Sequence, residues 1–221
     1  MITDQDGDDD LFGGFGPEGM IGAVRAQLDA VHQAREIALP ACRRAIRASG
    51  LAIRAIHLQR HDLWQERTSE AIDALGTAQR ALQPFPEVAS VGFLHDAEKE
   101  VAEARLTAVL VAGDPLPDWH SVGVRLPAWL NGLAEAASEV RRYLLDRLRG
   151  GELGETERLF STMETACDML ATVDYPDAIT GGLRRSVDAL RAVVERTRAD
   201  LTATLVQERL QKSLRDSINR S

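Results

Sequence analysis

Cysteine is nearly missing from this 221-residue chain: Cys42 and Cys167 are the two it has, far apart and outside any Cys-x-x-Cys pattern. That excludes a disulfide framework and a cysteine-built zinc site. Aromatic residues make up only 5% of the chain and runs of Val, Ile and Thr are rare, so a sheet has little to build on. Ala and Leu abound, and both favour helix. No stretch approaches roughly 18 uninterrupted apolar residues, and no basic-then-apolar leader opens the chain. A soluble, reduced, cytoplasmic protein is therefore expected. The sequence also lacks a Gly-rich phosphate loop, a GxSxG elbow, an HExxH zincin motif and any Glu-x-x-His pair. These absences leave no sequence basis for P-loop, serine-hydrolase, zincin or ferritin-like di-iron chemistry.

Basic charge is short as well. The formal net charge is −8, which excludes a generally basic nucleic-acid coat protein. Any polyanion this chain binds has to meet a local basic patch or a metal ion. Lys99 and Lys212 are the two lysines, so the cationic residues are almost all Arg. Arg suits phosphate recognition, although a GC-rich coding bias produces the same preference.

What is present reads as helix from end to end. Residues 1–17 are acidic and glycine-rich and cannot bury enough apolar surface to order themselves, so they form a disordered tail. The run at 4–10 resembles a calcium loop only superficially, because no Glu closes it. Residues 18–221 form a single all-α domain. A long helix is predicted over 19–58, with Ile21, Val24, Leu28, Val31, Ile37, Ala41, Ile46, Ile53 and Ile56 along its apolar pattern. Pro40 kinks it rather than ending it. Further helices are predicted over 68–82, 87–111, 126–149 and 154–173, and from 178 past 201 to as far as 218. Pro84 and Pro86, the Gly113–Pro117 segment, Gly150-Gly151 and Asp174-Tyr175-Pro176-Asp177 punctuate them, the last Asp as an N-cap. No internal repeat is evident. The architecture is a bundle of six or seven helices.

Two patterns carry candidate chemistry. Asp96, Glu100 and Glu103 fall at i, i+4 and i+7 and stack on one helix face. Glu135 and Glu139 repeat the arrangement one turn apart on the 126–149 helix. Hard carboxylate oxygens of this kind suit Mg²⁺ or Mn²⁺, and a metal held by few carboxylates keeps waters for phosphodiester hydrolysis. By spacing alone, two solvated helix faces describe the same residues. The second pattern is basic: Arg43, Arg47, Arg54 and His57 lie near one side of the first helix, followed by Arg60 and His61. It reads as a phosphate-tracking stripe or as an ordinary solvated face. Cys42, beside Arg43 and Arg44, is a structural helix cysteine or a low-pKa thiol. Trp64, Trp119 and Trp129 read as core or interface anchors.

Several segments taken together resemble the translin/Trax family. Arg35-Glu36-Ile37 through Arg54-Ala55-Ile56-His57 resembles the first helix of its members. Glu100-Val101-Ala102-Glu103-Ala104 is similar to the Glu-x-x-Glu-Ala of translin-associated factor X (Trax). The stretch Trp129-Leu130-Asn131-Gly132-Leu133-Ala134-Glu135, continuing through Ser138-Glu139-Val140-Arg141-Arg142, resembles the signature Tyr-Leu-x-Gly-Leu-Ala-Asp-x-x-Gly-Glu-Leu-x-Arg. Asp174-Tyr175-Pro176-Asp177, Leu183-Arg184-Arg185 and the segment from Val194 to Leu201 look like later helices of prokaryotic members.

The resemblance implies an all-α, translin-like fold that assembles into a hollow homo-oligomeric shell, often an octamer, and binds RNA or single-stranded DNA. Its catalytic, Trax-type branch consists of Mg²⁺-dependent endoribonucleases. Carried over position by position, the catalytic and metal-holding acids fall on Glu100, Glu103, Glu135 and Glu139. All four being acidic implies the catalytic branch, with Mg²⁺ or Mn²⁺ as cofactor and Arg43, Arg47, Arg54, His57, Arg60 and His61 on the nucleic acid. Two departures stand out: Glu135 is one methylene longer than the family's Asp, and Ser138 replaces a Gly. A non-catalytic nucleic-acid-binding shell, or an interaction protein with no nucleic-acid role, remains the alternative.

Overall fold

The computed structural model describes residues 16–218. The segment set apart as a disordered tail, with its calcium-loop-like run, lies outside the described residues up to 15, while Gly16 and Pro17 open the first helix. Among the described residues there are six long helices and three single-turn ones, and no strand. In chain order they are α1 (Gly16–His57), α2 (His61–Leu82), the one-turn α3 (Pro86–Ala89), α4 (Gly92–Ala112), the one-turn α5 (Trp119–Val122), α6 (Leu126–Arg149), α7 (Leu153–Ala171), the one-turn α8 (Asp177–Thr180) and α9 (Leu183–Ile218). None is long and apolar enough to cross a membrane.

The bundle closes around α4 and α6. Val101 and Leu106 from α4 meet Leu133, Val140 and Leu144 from α6, with Leu159, Met163 and Leu170 of α7 and Leu190 of α9 behind them, all fully buried. The α1–α2 hairpin packs on this centre with an alanine surface: Ala38, Ala41, Ala45, Ala48 and Ala52 lie against Ala71, Ala74 and Ala78. Small side chains let these helices approach closely. Pro40 sits inside α1 at an exposed position, and the helix runs on through it.

Several boundaries differ from expectation for local reasons. The second helix starts at His61, seven residues early, because nothing between 61 and 68 interrupts it. The third is divided in two, with Val91 extended between α3 and α4. The last is divided by Gly181 and Gly182, whose φ of +64° and +84° favours glycine. Asp177 is not the N-cap of α8; Pro176 holds that place and its carbonyl accepts from Thr180.

The apolar pattern of early α1 is the larger correction. Ile21, Val24, Leu28 and Ile37 read as core yet are exposed, Leu28 by 61%. Burial in α1 starts at Ala34, so the first half of the helix projects beyond the bundle. The far end of α9 does the same. Its last buried residue is Leu201, and Val206, Leu210, Leu214 and Ile218 line one exposed face beyond it.

Candidate carboxylate and nucleic-acid site

The site grows from a close crossing of α4 and α6. A Cβ built on Gly132 would meet the Ala102 Cβ at 2.7 Å and the Lys99 carbonyl oxygen at 2.9 Å. The helices touch there because one contributes no side chain at all. Glycine costs about 1 kcal/mol inside a helix relative to alanine, which the contact has to offset. Glu135 follows Gly132 by one turn, and Glu100 and Glu103 flank Ala102 on α4. One oxygen from each of Glu100, Glu103 and Glu135 lies within 4.8 Å of the others.

Three carboxylates this close strain one another electrostatically. Glu103 is buried, and burial together with the charges of Glu100, Glu135 and Glu139 pushes its carboxyl up to about 8. Glu100 is raised too, mainly by burial, against the lowering effect of Lys99. Among the described residues, the one counter-charge that touches the cluster directly is Lys99, whose Nζ donates to Glu135 Oε1 at 2.8 Å and lies 3.7 Å from Glu100 Oε1. Burial lowers Lys99, but the hydrogen bond and charge of Glu135, with Glu100 and Glu103, raise it overall.

Glu139 stands apart from the three. His57 Nε2, at the end of α1, donates to Glu139 Oε2 at 2.8 Å. That bond holds the Glu139 carboxyl below its ordinary range, against burial and with help from the His57 and Arg142 charges. The group still bears on the cluster through space, since its charge is among those raising Glu103. Ser138, where the family signature has Gly, donates to the Ala134 carbonyl within its own helix and keeps clear of the carboxylates.

The basic residues do not converge on the acids. Arg43, Arg47 and Arg54 are exposed on the side of α1 opposite its alanine face, while Arg60 and His61 are exposed at the α1–α2 turn. His57 does not share their exposure: its side chain is 3% accessible, spent on Glu139. Asp96 is exposed and adds only its charge to the surroundings of Glu100. Cys42 is buried, and burial pushes its thiol up to about 11, which removes the reactive reading.

Reading the sequence did not find Lys99 as the counter-ion, His57 as the partner of Glu139 or Glu98 as a buried charge. One signal was available for the first: a single lysine set among five acids within 96–103 and 135.

The donor set fits a hard divalent cation. Three carboxylate oxygens converge, and the charge they concentrate is only partly offset by Lys99.

No protein-family model matches the chain. It is 27% identical over 183 residues to an uncharacterized protein of Methanocaldococcus jannaschii, spanning 82% of this chain and 81% of that one. Among solved structures it is similar to AfC3PO, with a TM-score of 0.78 and 29% identity over 85% of this chain and 98% of the other. The complex of AfC3PO with duplex RNA gives 0.75 and 28% over 85% and 97%. Apo-NeC3PO gives 0.71 over 83% and 96%, and at 16% identity that likeness speaks for the fold alone.

Proposed function

We propose that this chain, a translin/Trax-type protein of the C3PO fold, binds RNA and cleaves it with the help of Mg²⁺ or Mn²⁺. RNA is the ligand of AfC3PO in one of the similar structures. The observation that carries the reading is the convergence of Glu100, Glu103 and Glu135 at positions that match the family's acids. These three would hold the cation, with Glu139 reaching it directly or through water. When bound, such an ion stabilises charge on the scissile phosphate and makes a water more acidic.

The remaining work falls to side chains. His57 orients Glu139 through its hydrogen bond. Lys99 tethers Glu135 and tempers the repulsion among the acids. Glu103, with its elevated pKa, holds a proton at neutral pH whenever no cation offsets its neighbours. Arg43, Arg47, Arg54, Arg60 and His61 contact the phosphate backbone, which gives salt-sensitive and weakly sequence-selective binding.

The shell-type homo-oligomer is part of the same proposal. The exposed apolar residues of the α1 projection and of the α9 extension supply faces for contact between copies. A strictly monomeric solution mass would remove the shell.

Labelled single-stranded RNA tests the chemistry. The expected result is cleavage that needs Mg²⁺ and is lost in Glu103→Ala. Bound RNA that is never cut, or cutting that survives Glu103→Ala, would leave only a nucleic-acid-binding shell.

A further inference from the structure

Next to the carboxylates, along the same helices, lies a second feature that the proposed chemistry does not use. A half-open cavity of about 400 Å³ sits between the α1–α2 turn, the end of α4 and α6. That volume is in the range of small-molecule sites. Trp64, Tyr143, Ile56 and Ala108 form its walls, and Arg60, His61 and Asp114 stand at its rim. Both aromatic rings are positioned by neighbours: His61 packs edge-on against Trp64 with centroids 5.1 Å apart, and the Arg147 guanidinium lies 5.0 Å from the Tyr143 centroid.

Two details bear on what this cavity can hold. Trp64 Nε1 is buried with no hydrogen-bond partner, whereas buried indole N–H groups ordinarily find one. That N–H is sheltered from the cavity as well, so the indole ring and not its N–H is the part of Trp64 that a ligand meets. Gln59, on the same wall, has φ of +55°, the one positive value outside glycine among the described residues. Backbone strain of this kind persists where the surroundings enforce it and gathers at ligand-binding surfaces.

Position does the rest. Ala108 follows Glu103 by five residues and Tyr143 follows Glu139 by four, so the cavity begins about 6–8 Å further along both helices. Ile56 immediately precedes His57, the residue that holds Glu139. A ligand here would touch the acid site with its next chemical group. Flat aromatic walls suit a π-system, cationic side chains at the mouth suit a phosphate, and a rim carboxylate suits ring or exocyclic N–H donors. One ligand class carries all three.

We propose that this cavity receives one unpaired nucleobase of an RNA strand, stacked against Trp64, and so presents the adjoining phosphate to Glu100, Glu103 and Glu135. The proposal rests on the RNA-binding reading above. It adds a requirement: the nucleotide beside the cleaved bond has to leave any duplex, because a paired base cannot enter.

The test is binding of a single-stranded RNA octamer to the full-length protein, by fluorescence anisotropy at low salt with EDTA present to prevent cutting. One abasic nucleotide is moved through the octamer position by position. The wild type should lose roughly tenfold in affinity at one internal position, the size expected for one base–aromatic stack. Ala112→Trp fills the cavity from an exposed site on its wall, and Trp64→Leu removes the stacking surface. In both, intact RNA should bind roughly tenfold more weakly and the abasic penalty should vanish. An unchanged penalty in Ala112→Trp, or no position-dependent penalty in the wild type, overturns the base site while leaving RNA binding intact. A change of solution mass in Ala112→Trp with RNA affinity unaltered assigns the cavity to a second copy of the chain and also overturns it. Failure to bind any RNA removes both readings together.

Discussion

Two buried glutamates five residues apart on α4 have opposite surroundings. Glu98 is 1% exposed and fully answered: Arg125 Nε donates to one carboxylate oxygen at 2.6 Å and Gln79 Nε2 to the other at 3.0 Å. Both partners also reach backbone, Arg125 the Ala89 carbonyl and Gln79 the Gly123 carbonyl. Glu98 thus ties α2, the α3 turn and the linker after α5 to α4. Glu103 is 9% exposed and faces other carboxylates. One buried acid closes a network, while the other leaves a charge problem that an added cation would solve. Burial alone does not separate a structural acid from a functional one; the sign of the neighbouring charges does.

The largest loss of stability is expected at Arg125. Arg125→Ala leaves Glu98 buried and half-answered, and unfolding in denaturant should show a loss of about 3 kcal/mol, with the carboxylate cluster's own properties unchanged. Gly132→Ala attacks the other region through shape. The added Cβ cannot fit against Ala102, so α4 and α6 must separate, at about 1–3 kcal/mol, and divalent-cation affinity measured by calorimetry should fall with stability.

A pH series sharpens the contrast. Glu103 has a folded pKa of about 8 against an unfolded value near the ordinary range of about 4–4.5. Between those values the folded state holds a proton that the unfolded state has released. Stability therefore falls as pH rises through this window and levels off above it, by at most about 1.4 kcal/mol per pH unit for one proton. Melting curves of EDTA-treated protein should move down from pH 5.5 to 8, and added Mg²⁺ should restore most of the difference. In Glu103→Gln the slope should flatten and the Mg²⁺ effect disappear. A slope unchanged by Glu103→Gln would assign it to another group.

The smallest change is expected from Lys99→Met. Removing the internal cation should lower stability without divalent cation by about 1 kcal/mol, since its partners are partly exposed. Divalent-cation affinity should rise in the same variant, because the ion no longer competes with an ammonium for Glu135. Weaker cation binding in Lys99→Met would show that Lys99 organises the carboxylates instead.

Much of this was legible in the sequence. Helical periodicity locates the six long helices, while the family resemblance, and not spacing, singles out Glu100, Glu103 and Glu135, the acids that the fold brings together. What it could not supply depended on neighbours from distant segments. Ile21, Val24 and Leu28 have the spacing of a core face and are exposed, because periodicity reports an amphipathic helix and not what covers it. Nothing in the sequence distinguishes Glu98 from the acids around it, since its partners lie 27 and 19 residues away. Helical position places His57 with the arginines, whereas its partner is 82 residues distant. Gly132 marks the helix crossing, yet Gly22 and Gly50 are equally interior to a helix and have open space where a Cβ would sit, so an interior glycine does not by itself announce a close contact.

The overhanging parts of α1 and α9 are the least anchored helical segments among the described residues. Each is roughly the length at which an isolated helix is marginal in water, and neither has a core beneath it. If copies of the chain assemble as proposed, those contacts hold the two helix ends, and dilution should fray both while the six-helix centre stays intact. Backbone amides in 18–33 and 202–218 should exchange with solvent at rates that depend on protein concentration, and those of α4 and α6 at rates that do not. The ends of the chain would in this way register how many neighbours the molecule has.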